Sequence, residues 1–177
     1  MNLINLIIVM DRKSCVATLL RGTGLLLLLL IGLTTNAQKD ANKPGQPVRV
    51  KQFNVDAGKP AISGYDPVSY FNASKPVKGK SSNALNVAGI TYWFASPASL
   101  ESFRKDPARY EPQYGGWCAY AMGNDGSKVE VDPETFRILD GKLYLFYNSF
   151  FNNTLKDWNE NENELKQKAE KNWTKFN

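Results

Sequence analysis

The sequence contains no histidine, and this absence excludes several classes of chemistry. Histidine is the usual general base near neutral pH and the commonest neutral metal ligand in proteins. Zinc hydrolases, serine triads and proteases that pair cysteine with histidine are therefore not expected. Whether the chain is an enzyme stays open, and the composition favours a non-enzymatic role.

Cysteine is scarce as well, since Cys15 and Cys118 are the two thiols of the chain. Cys15 lies in a segment that is predicted below to be removed, so Cys118 would remain alone. A single thiol cannot form an intramolecular disulfide in an oxidising compartment. The stability of the mature domain must then come from packing.

The N-terminal segment has the features of a secretory signal in the usual order. Arg12, Lys13 and Arg21 precede the apolar run 25–33, and Ala37 ends a small-residue cleavage site. The apolar run is much shorter than the about 20 residues that a spanning helix needs. We predict removal of the signal, export to the bacterial periplasm and no stable membrane insertion afterwards. An uncleaved N-terminal anchor is the alternative.

The predicted organisation is a signal peptide over residues 1–37, a flexible leader over 38–49 and one domain over 50–177. The leader is polar and contains Pro44 and Pro47, and translation could start at Met1 or Met10. The signal carries a net charge of +2, so the formal charge of +5 falls to +3 in the mature chain. Acidic residues are interspersed among the basic ones, and nucleic acid is therefore not an expected partner. No internal repeat is recognisable.

Two β-hairpins are predicted from alternating apolar runs that flank a turn dipeptide. The first pair of strands lies on either side of Ala88-Gly89 and the second on either side of Asp140-Gly141. Asp-Gly suits a type I′ turn, which joins antiparallel strands. The strands are expected at residues 85–87 with 90–94, and 136–139 with 142–147.

Two helices complete the predicted α+β fold. Ser96 as N-cap and Pro97 at the first helical position begin a short helix, and Pro107 stops it. A long C-terminal helix is predicted to begin at Thr154 as its N-cap. Its apolar face is formed by residues spaced at intervals of three, four or seven, namely Leu155, Trp158, Leu165, Ala169, Trp173 and Phe176.

Three segments together resemble the exported, stand-alone branch of the YHS-domain family. They are the strand-to-helix segment 92–110, the opening segment 61–71 and the block 106–122, which contains Pro112-Gln113-Tyr114-Gly115-Gly116-Trp117-Cys118-Ala119-Tyr120-Ala121. Metal-binding members of the family have cysteines at three positions that here hold Ser69, Ala95 and Ser99. Soft metals select thiolate ligands, so the family's heavy-metal site is not expected in this chain.

The candidate site residues surround the remaining thiol. The two glycines of the block allow close approach of backbones, and aromatic residues flank Cys118. A buried, inert thiol in a tight core corner is one interpretation. The other is a ligand-binding or redox thiol in a pocket formed with Tyr65, Asp66, Tyr114 and Tyr120. Asp66 before Pro67 also suits a simple turn.

Met122 would share a helix face with Cys118. This pair indicates copper binding only weakly, because two ligands do not form a copper site. The expected function is a non-enzymatic periplasmic binding module for a small ligand or a metal ion. A thiol-based redox protein that uses Cys118 is the first alternative, and a structural or interaction module is the second. Neither a cofactor nor a protein partner can be named from the sequence.

Overall fold

Two antiparallel β-hairpins form the framework of the fold. The computed structural model describes residues 46–176, and the predicted signal peptide lies outside them. The first hairpin pairs β1 (Lys80–Val87) with β2 (Ile90–Phe94), and the second pairs β3 (Asp132–Leu139) with β4 (Lys142–Phe146). Both predicted hairpins, and the α+β class, are confirmed.

Seven α-helices and a third, short hairpin surround this framework within the described residues. The short hairpin pairs β5 (Asn148–Ser149) with β6 (Asn152–Asn153). The helices are α1 (Gln46–Gln52), α2 (Ser69–Asn72), α3 (Pro97–Lys105), α4 (Pro107–Tyr110), α5 (Ala119–Asn124), α6 (Thr154–Glu160) and α7 (Glu162–Trp173). Helix α1 begins within the segment that was predicted to be a flexible leader.

The short motif helix α3 forms as its capping residues predict. The Ser96 side chain accepts a hydrogen bond from the Ser99 backbone N–H at 3.1 Å, and Pro97 is the first helical residue. The helix ends before Pro107, where Asp106 caps the one-turn helix α4 through the Arg109 N–H. The helix buries Phe103 against the first hairpin.

The C-terminal segment is helical, but the prediction of one helix capped by Thr154 is wrong. Asn161 has non-helical backbone angles and separates α6 from α7. The Asn161 N–H donates to the Trp158 carbonyl at 3.2 Å, which closes the last turn of α6, and the Leu165 N–H donates to the Asn161 carbonyl at 3.0 Å, which opens α7. The N-cap of α6 is Asn153, whose side chain accepts from the Leu155 N–H, while the Thr154 hydroxyl donates to the Tyr147 carbonyl.

The backbone contains an internal repeat with an offset of 52 residues, which the sequence reading missed. The first repeat (residues 60–105) and the second repeat (residues 112–160) each run through a left-handed turn, a short helix, a bulged hairpin and a capped helix. The strands begin and end at equivalent positions, and the register shift between Lys80 and Ala84 has its counterpart between Asp132 and Phe136.

Equivalent hydrogen bonds confirm the repeat. The Asp66 N–H donates to the Val77 carbonyl at 2.8 Å, and the Cys118 N–H donates to the Val129 carbonyl at 2.9 Å. Few side chains are shared between the repeats, so similarity of the backbone exceeds similarity of the residues. The identical pairs are Pro60 and Pro112, Gly64 and Gly116, Asn72 and Asn124, Val77 and Val129, Gly89 and Gly141, Tyr92 and Tyr144, and Phe94 and Phe146.

The second repeat contains an insertion between its hairpin and its helix. Ser96 caps the helix directly after β2, whereas the β5–β6 hairpin separates β4 from the equivalent cap at Asn153. The tip of this hairpin is formed by Phe150 and Phe151, which are 94% and 95% exposed. The insertion therefore adds apolar surface without adding to the core.

The domain has two hydrophobic cores, and side chains of the second repeat contribute to both. The first core contains Ile90, Tyr92, Phe94, Phe103 and Leu143, and the second contains Met122, Tyr144, Phe146, Trp158 and Ala169. Helix α7 covers the second core and contacts α5 closely at Gly123. A Cβ atom at that position would lie 2.5 Å from the Leu165 carbonyl oxygen, so only glycine fits.

Candidate functional site

Two left-handed turns, one in each repeat, form opposite parts of a cavity. The first turn spans Ala61–Gly64 and the second spans Gln113–Gly116. In both, three successive residues have positive φ, and the non-glycine members are Ile62 (52°), Ser63 (49°) and Tyr114 (55°). Left-handed backbone at non-glycine residues costs about 1 to 3 kcal/mol, and such strain clusters at functional sites.

The inter-repeat cavity lies between these turns and has a volume of about 500 Å³. Its walls combine polar and apolar surface in nearly equal parts, so a small ligand there would need polar groups as well as an apolar part. The lining includes Phe53, Asp56, Lys59, Trp93, Glu130 and Val131. Sequence reasoning did not identify any of them.

Charged residues lie at the mouth of this cavity. Lys59 donates to the Asp56 carboxylate at 2.9 Å, and both side chains are largely exposed. The hydrogen bond and the charge of Asp56 raise the pKa of Lys59, with a smaller contribution from Glu130. With two carboxylates beside one ammonium group, the mouth is weakly acidic.

Cys118 does not line this cavity. Its side chain is fully buried, and Sγ lies 3.4 Å from Thr154 Oγ1 and accepts a hydrogen bond from the Tyr147 backbone N–H at 3.3 Å. The thiol is thus enclosed where β4, α5 and α6 meet. The geometry shows no solvent-reachable face from which Cys118 could act on a ligand in the inter-repeat cavity.

Asp66 is equally buried, and its carboxylate holds the backbone. Oδ1 accepts from the Val68 N–H at 2.8 Å, and Oδ2 accepts from the Ala95 N–H at 3.0 Å. The first bond closes the turn that an Asp-Pro pair suits. The second bond attaches this turn to the end of β2, so the carboxylate is engaged within the protein.

The other predicted site residues lie apart from one another. Tyr65 packs against the first core and donates its hydroxyl to Glu134 at 2.6 Å, whereas Tyr114 and Tyr120 pack in the second core. The hydrogen bond from Tyr65 to Glu134 raises the pKa of Tyr65 to about 12. The structure therefore does not bring Cys118 into one pocket with Tyr65 and Asp66.

The tentative metal pair is also buried. Met122 is in the second core one turn beyond Cys118 on α5, and its N–H donates to the Cys118 carbonyl at 3.0 Å. No group of three or more histidine, cysteine, aspartate or glutamate side chains that could hold a metal ion occurs among residues 46–176. The pair has no third ligand of these types within the described part of the chain.

The three positions at which the sequence resemblance places thiolates have other roles in this structure. Ser69 Oγ donates to the Asp66 carbonyl at 2.7 Å and accepts from the Val77 N–H at 2.9 Å. Ala95 supplies the N–H that Asp66 binds, and Ser99 contacts the cap at Ser96. Hydrogen bonds within the protein thus occupy the polar groups of these positions.

A second cavity, here named the Tyr114 cavity, lies on the other side of the second left-handed turn. Its volume is about 720 Å³, and it shares Phe53, Pro112 and Gly115 with the inter-repeat cavity. Its remaining lining includes Arg49, Glu111, Tyr114, Lys142, Glu170 and Trp173. Of the sequence-predicted site residues, Tyr114 is the one that lines either of these two cavities.

A sequence signal marks the two left-handed turns, although it does not identify the other walls of the inter-repeat cavity. Pro60-Ala61-Ile62-Ser63-Gly64-Tyr65 and Pro112-Gln113-Tyr114-Gly115-Gly116-Trp117 share a proline, a terminal glycine and a following aromatic residue. Each segment was noted separately, but the fixed offset between them was not.

Comparisons with protein-family models, with curated proteins and with solved structures found no match to this chain. Among residues 46–176, no helix is both long and apolar enough to cross a membrane.

Proposed function

We propose that this chain is an exported, non-enzymatic binding module of YHS-like architecture that holds a small ligand in the inter-repeat cavity. The observation that carries the proposal is the cavity itself, to which both left-handed turns contribute. Sites at the junction of two structural units are common for small ligands. The volume suits a molecule of moderate size.

The strained turns support a binding role over a purely structural one. Ile62 and Ser63 retain left-handed backbone although glycine would adopt it at lower cost. Ser63 is exposed and lines the cavity, so its side chain is not needed for the core. A ligand contact gives a reason to keep a side chain at this position.

Export to the periplasm and YHS-like architecture are parts of the same proposal. They rest on the signal pattern that ends at Ala37 and on the motifs that continue through the block around Cys118. The absence of histidine supports binding over catalysis, because no imidazole is present to move protons near neutral pH.

A filled-cavity variant tests the binding role. We expect native mass spectrometry of the mature protein, isolated gently from periplasm, to show a bound small molecule. Val131→Trp places an indole in the cavity and should abolish this species. Val77→Trp adds the same ring at an exposed site and should retain it. A wild-type protein that carries no ligand, or a ligand that both variants retain, would contradict the proposal.

The exposed Phe150 and Phe151 favour a second candidate function, an interaction module. Their rings contact each other at a centroid distance of 5.0 Å and project from an insertion that the first repeat lacks. Exposed aromatic groups at such a tip add nothing to folding stability. If this candidate is correct, the double variant Phe150→Ser/Phe151→Ser should lose a physiological partner in cross-linking experiments while keeping the ligand of the inter-repeat cavity.

A further inference from the structure

The Tyr114 cavity is lined by two residues that each have a buried hydrogen-bond donor without an acceptor. Tyr114 Oη and Arg49 Nε are inaccessible to solvent, and neither has a hydrogen-bond partner among residues 46–176. A buried donor that stays unpaired costs about 1 to 3 kcal/mol. Two such donors beside one cavity indicate that a ligand supplies the missing acceptors.

The guanidinium group of Arg49 is fixed in place by other contacts. Nη2 donates to the Glu111 carboxylate, and the group stacks on the Phe53 ring with 4.6 Å to the ring centroid. Glu111 in turn accepts a hydrogen bond from the Tyr92 hydroxyl at 2.9 Å. Nη2 makes the hydrogen bond to Glu111, and Nε makes none to residues 46–176.

The hydroxyl of Tyr114 is fixed by aromatic packing. Its ring lies between Tyr144 and Trp173, at centroid distances of 5.9 Å and 6.2 Å. The residue is 5% exposed, and burial raises its pKa well above the ordinary value, so the hydroxyl keeps its proton and remains a donor. Rigid donors bind at a lower entropic cost than mobile ones.

We propose that the Tyr114 cavity binds the carboxylate of a small organic acid that has an aromatic or aliphatic body. The side chains that cover Tyr114 Oη and Arg49 Nε move aside on binding, and the carboxylate then accepts hydrogen bonds from both atoms. A carboxylate suits them because it offers acceptors in several directions and pairs strongly with charged donors. Trp173 and Phe53 provide the apolar surface for the body of the ligand. This site is distinct from the inter-repeat cavity and goes beyond the proposed function.

The other charges that line the cavity restrict the ligand further. Lys142 adds a positive charge, whereas Glu170 and Glu111 are acidic. Glu111 is already paired with Arg49, so Lys142 and Glu170 are the charges left to meet the ligand. A ligand with one carboxylate therefore fits better than a di- or tricarboxylate, because Glu170 would repel the additional carboxylates.

Phenylacetate and its uncharged analogue phenylacetamide test this site by titration calorimetry on the mature chain. We expect saturable binding of phenylacetate and at least about tenfold weaker binding of phenylacetamide, since hydrogen bonds to a charged group contribute more than neutral ones. Tyr114→Phe removes one hydroxyl and should weaken phenylacetate binding about tenfold or more. The matched control Tyr144→Phe removes a neighbouring hydroxyl that does not line the cavity and should leave the affinity within about twofold.

Arg49→Lys provides a second variant, which keeps the positive charge and removes the Nε donor. Arg49→Lys should also weaken phenylacetate binding. If Tyr114→Phe fails to fold, this variant tests the carboxylate site in its place. Val131→Trp should retain full affinity, so failure of this site and failure of the inter-repeat site can be told apart. Absence of phenylacetate binding, equal binding of the amide, or equal affinity of wild type and Tyr114→Phe would overturn the proposal.

Discussion

Asp66 and Cys118 have the same hydrogen-bonding role in the two repeats. Asp66 Oδ2 accepts from the N–H of Ala95, and Cys118 Sγ accepts from the N–H of Tyr147, each 29 residues further along the chain. Both acceptors attach a left-handed turn to the end of a hairpin. The thiol thus occupies a position that has a structural task in the other repeat.

Cys118 is expected to resist alkylation until the protein unfolds. Its side chain is fully buried, and a thiol reagent reaches such a group through opening of the structure. The rate of modification by a small haloacetamide should therefore rise with urea in parallel with the unfolded fraction. Rapid modification of the native protein would instead favour the redox alternative.

Loss of the Asp66 carboxylate is expected to destabilise the domain. Asp66→Ala leaves the N–H groups of Val68 and Ala95 without acceptors and should lower the free energy of unfolding by about 2 to 4 kcal/mol. Asp66→Asn keeps one acceptor oxygen and should cost less. Urea denaturation of both variants gives the comparison, and an equal loss for the two would show that the hydrogen bonds do not account for the effect.

Exchanges of serine and glycine in the two left-handed turns should change the free energy of unfolding in opposite directions. Ser63→Gly relieves strain at an exposed residue and should raise the free energy of unfolding by about 0.5 to 1 kcal/mol. Gly115→Ser should lower it, because a Cβ atom there would lie 3.1 Å from Phe53 Cα and 3.1 Å from Trp173 Cη2. Thermal denaturation measures both. Equal signs for the two exchanges would contradict this explanation.

On the alkaline side, the stability is expected to fall above about pH 10. Burial raises the pKa of Tyr70, Tyr92 and Tyr114, and the hydrogen bond to Glu134 raises that of Tyr65 to about 12. Unfolded tyrosines lose their protons near pH 10, whereas these folded ones keep them to higher pH. The stabilisation is complete below about pH 10 and is lost as the pH rises, because the unfolded state then binds fewer protons.

Urea midpoints across the alkaline range test this pH dependence. Since the chain has no histidine, the midpoint should change little between about pH 6 and 8. Tyr70→Phe should reduce the alkaline loss, at the cost of the hydrogen bond that Tyr70 Oη donates to the Pro133 carbonyl at 2.8 Å. A large change in the midpoint near neutral pH would show that another group controls the stability.

Local signals in the sequence were sufficient to predict the two large hairpins and the motif helix α3. Asp140-Gly141 set a turn with positive φ at both residues, and Ser96 with Pro97 set the start of α3. These features depend on a few neighbouring residues, so they can be inferred without knowing the rest of the fold. The helix break at Asn161 was missed because an apolar period continues through it.

The candidate site was not predictable in the same way because its walls are distant in sequence. Phe53, Trp93 and Val131 come together only after the repeats pack, and no motif links them. Gly115 did indicate a close approach, but its neighbours are the Phe53 backbone and the Trp173 ring, and not a bound ligand. The sequence thus pointed to the aromatic block around Cys118, but the structure does not contain the pocket that was predicted to join this block with Tyr65 and Asp66.

The repeat also bears on how such a domain can diverge. The same backbone path is followed twice with few identical side chains, and the shared positions are mainly turn glycines, a proline and strand-end aromatics. Most other positions are thus free to change while the path is kept. One copy can acquire a carboxylate at the position where the other has a thiol, so new chemistry can arise in one half while its twin preserves the architecture.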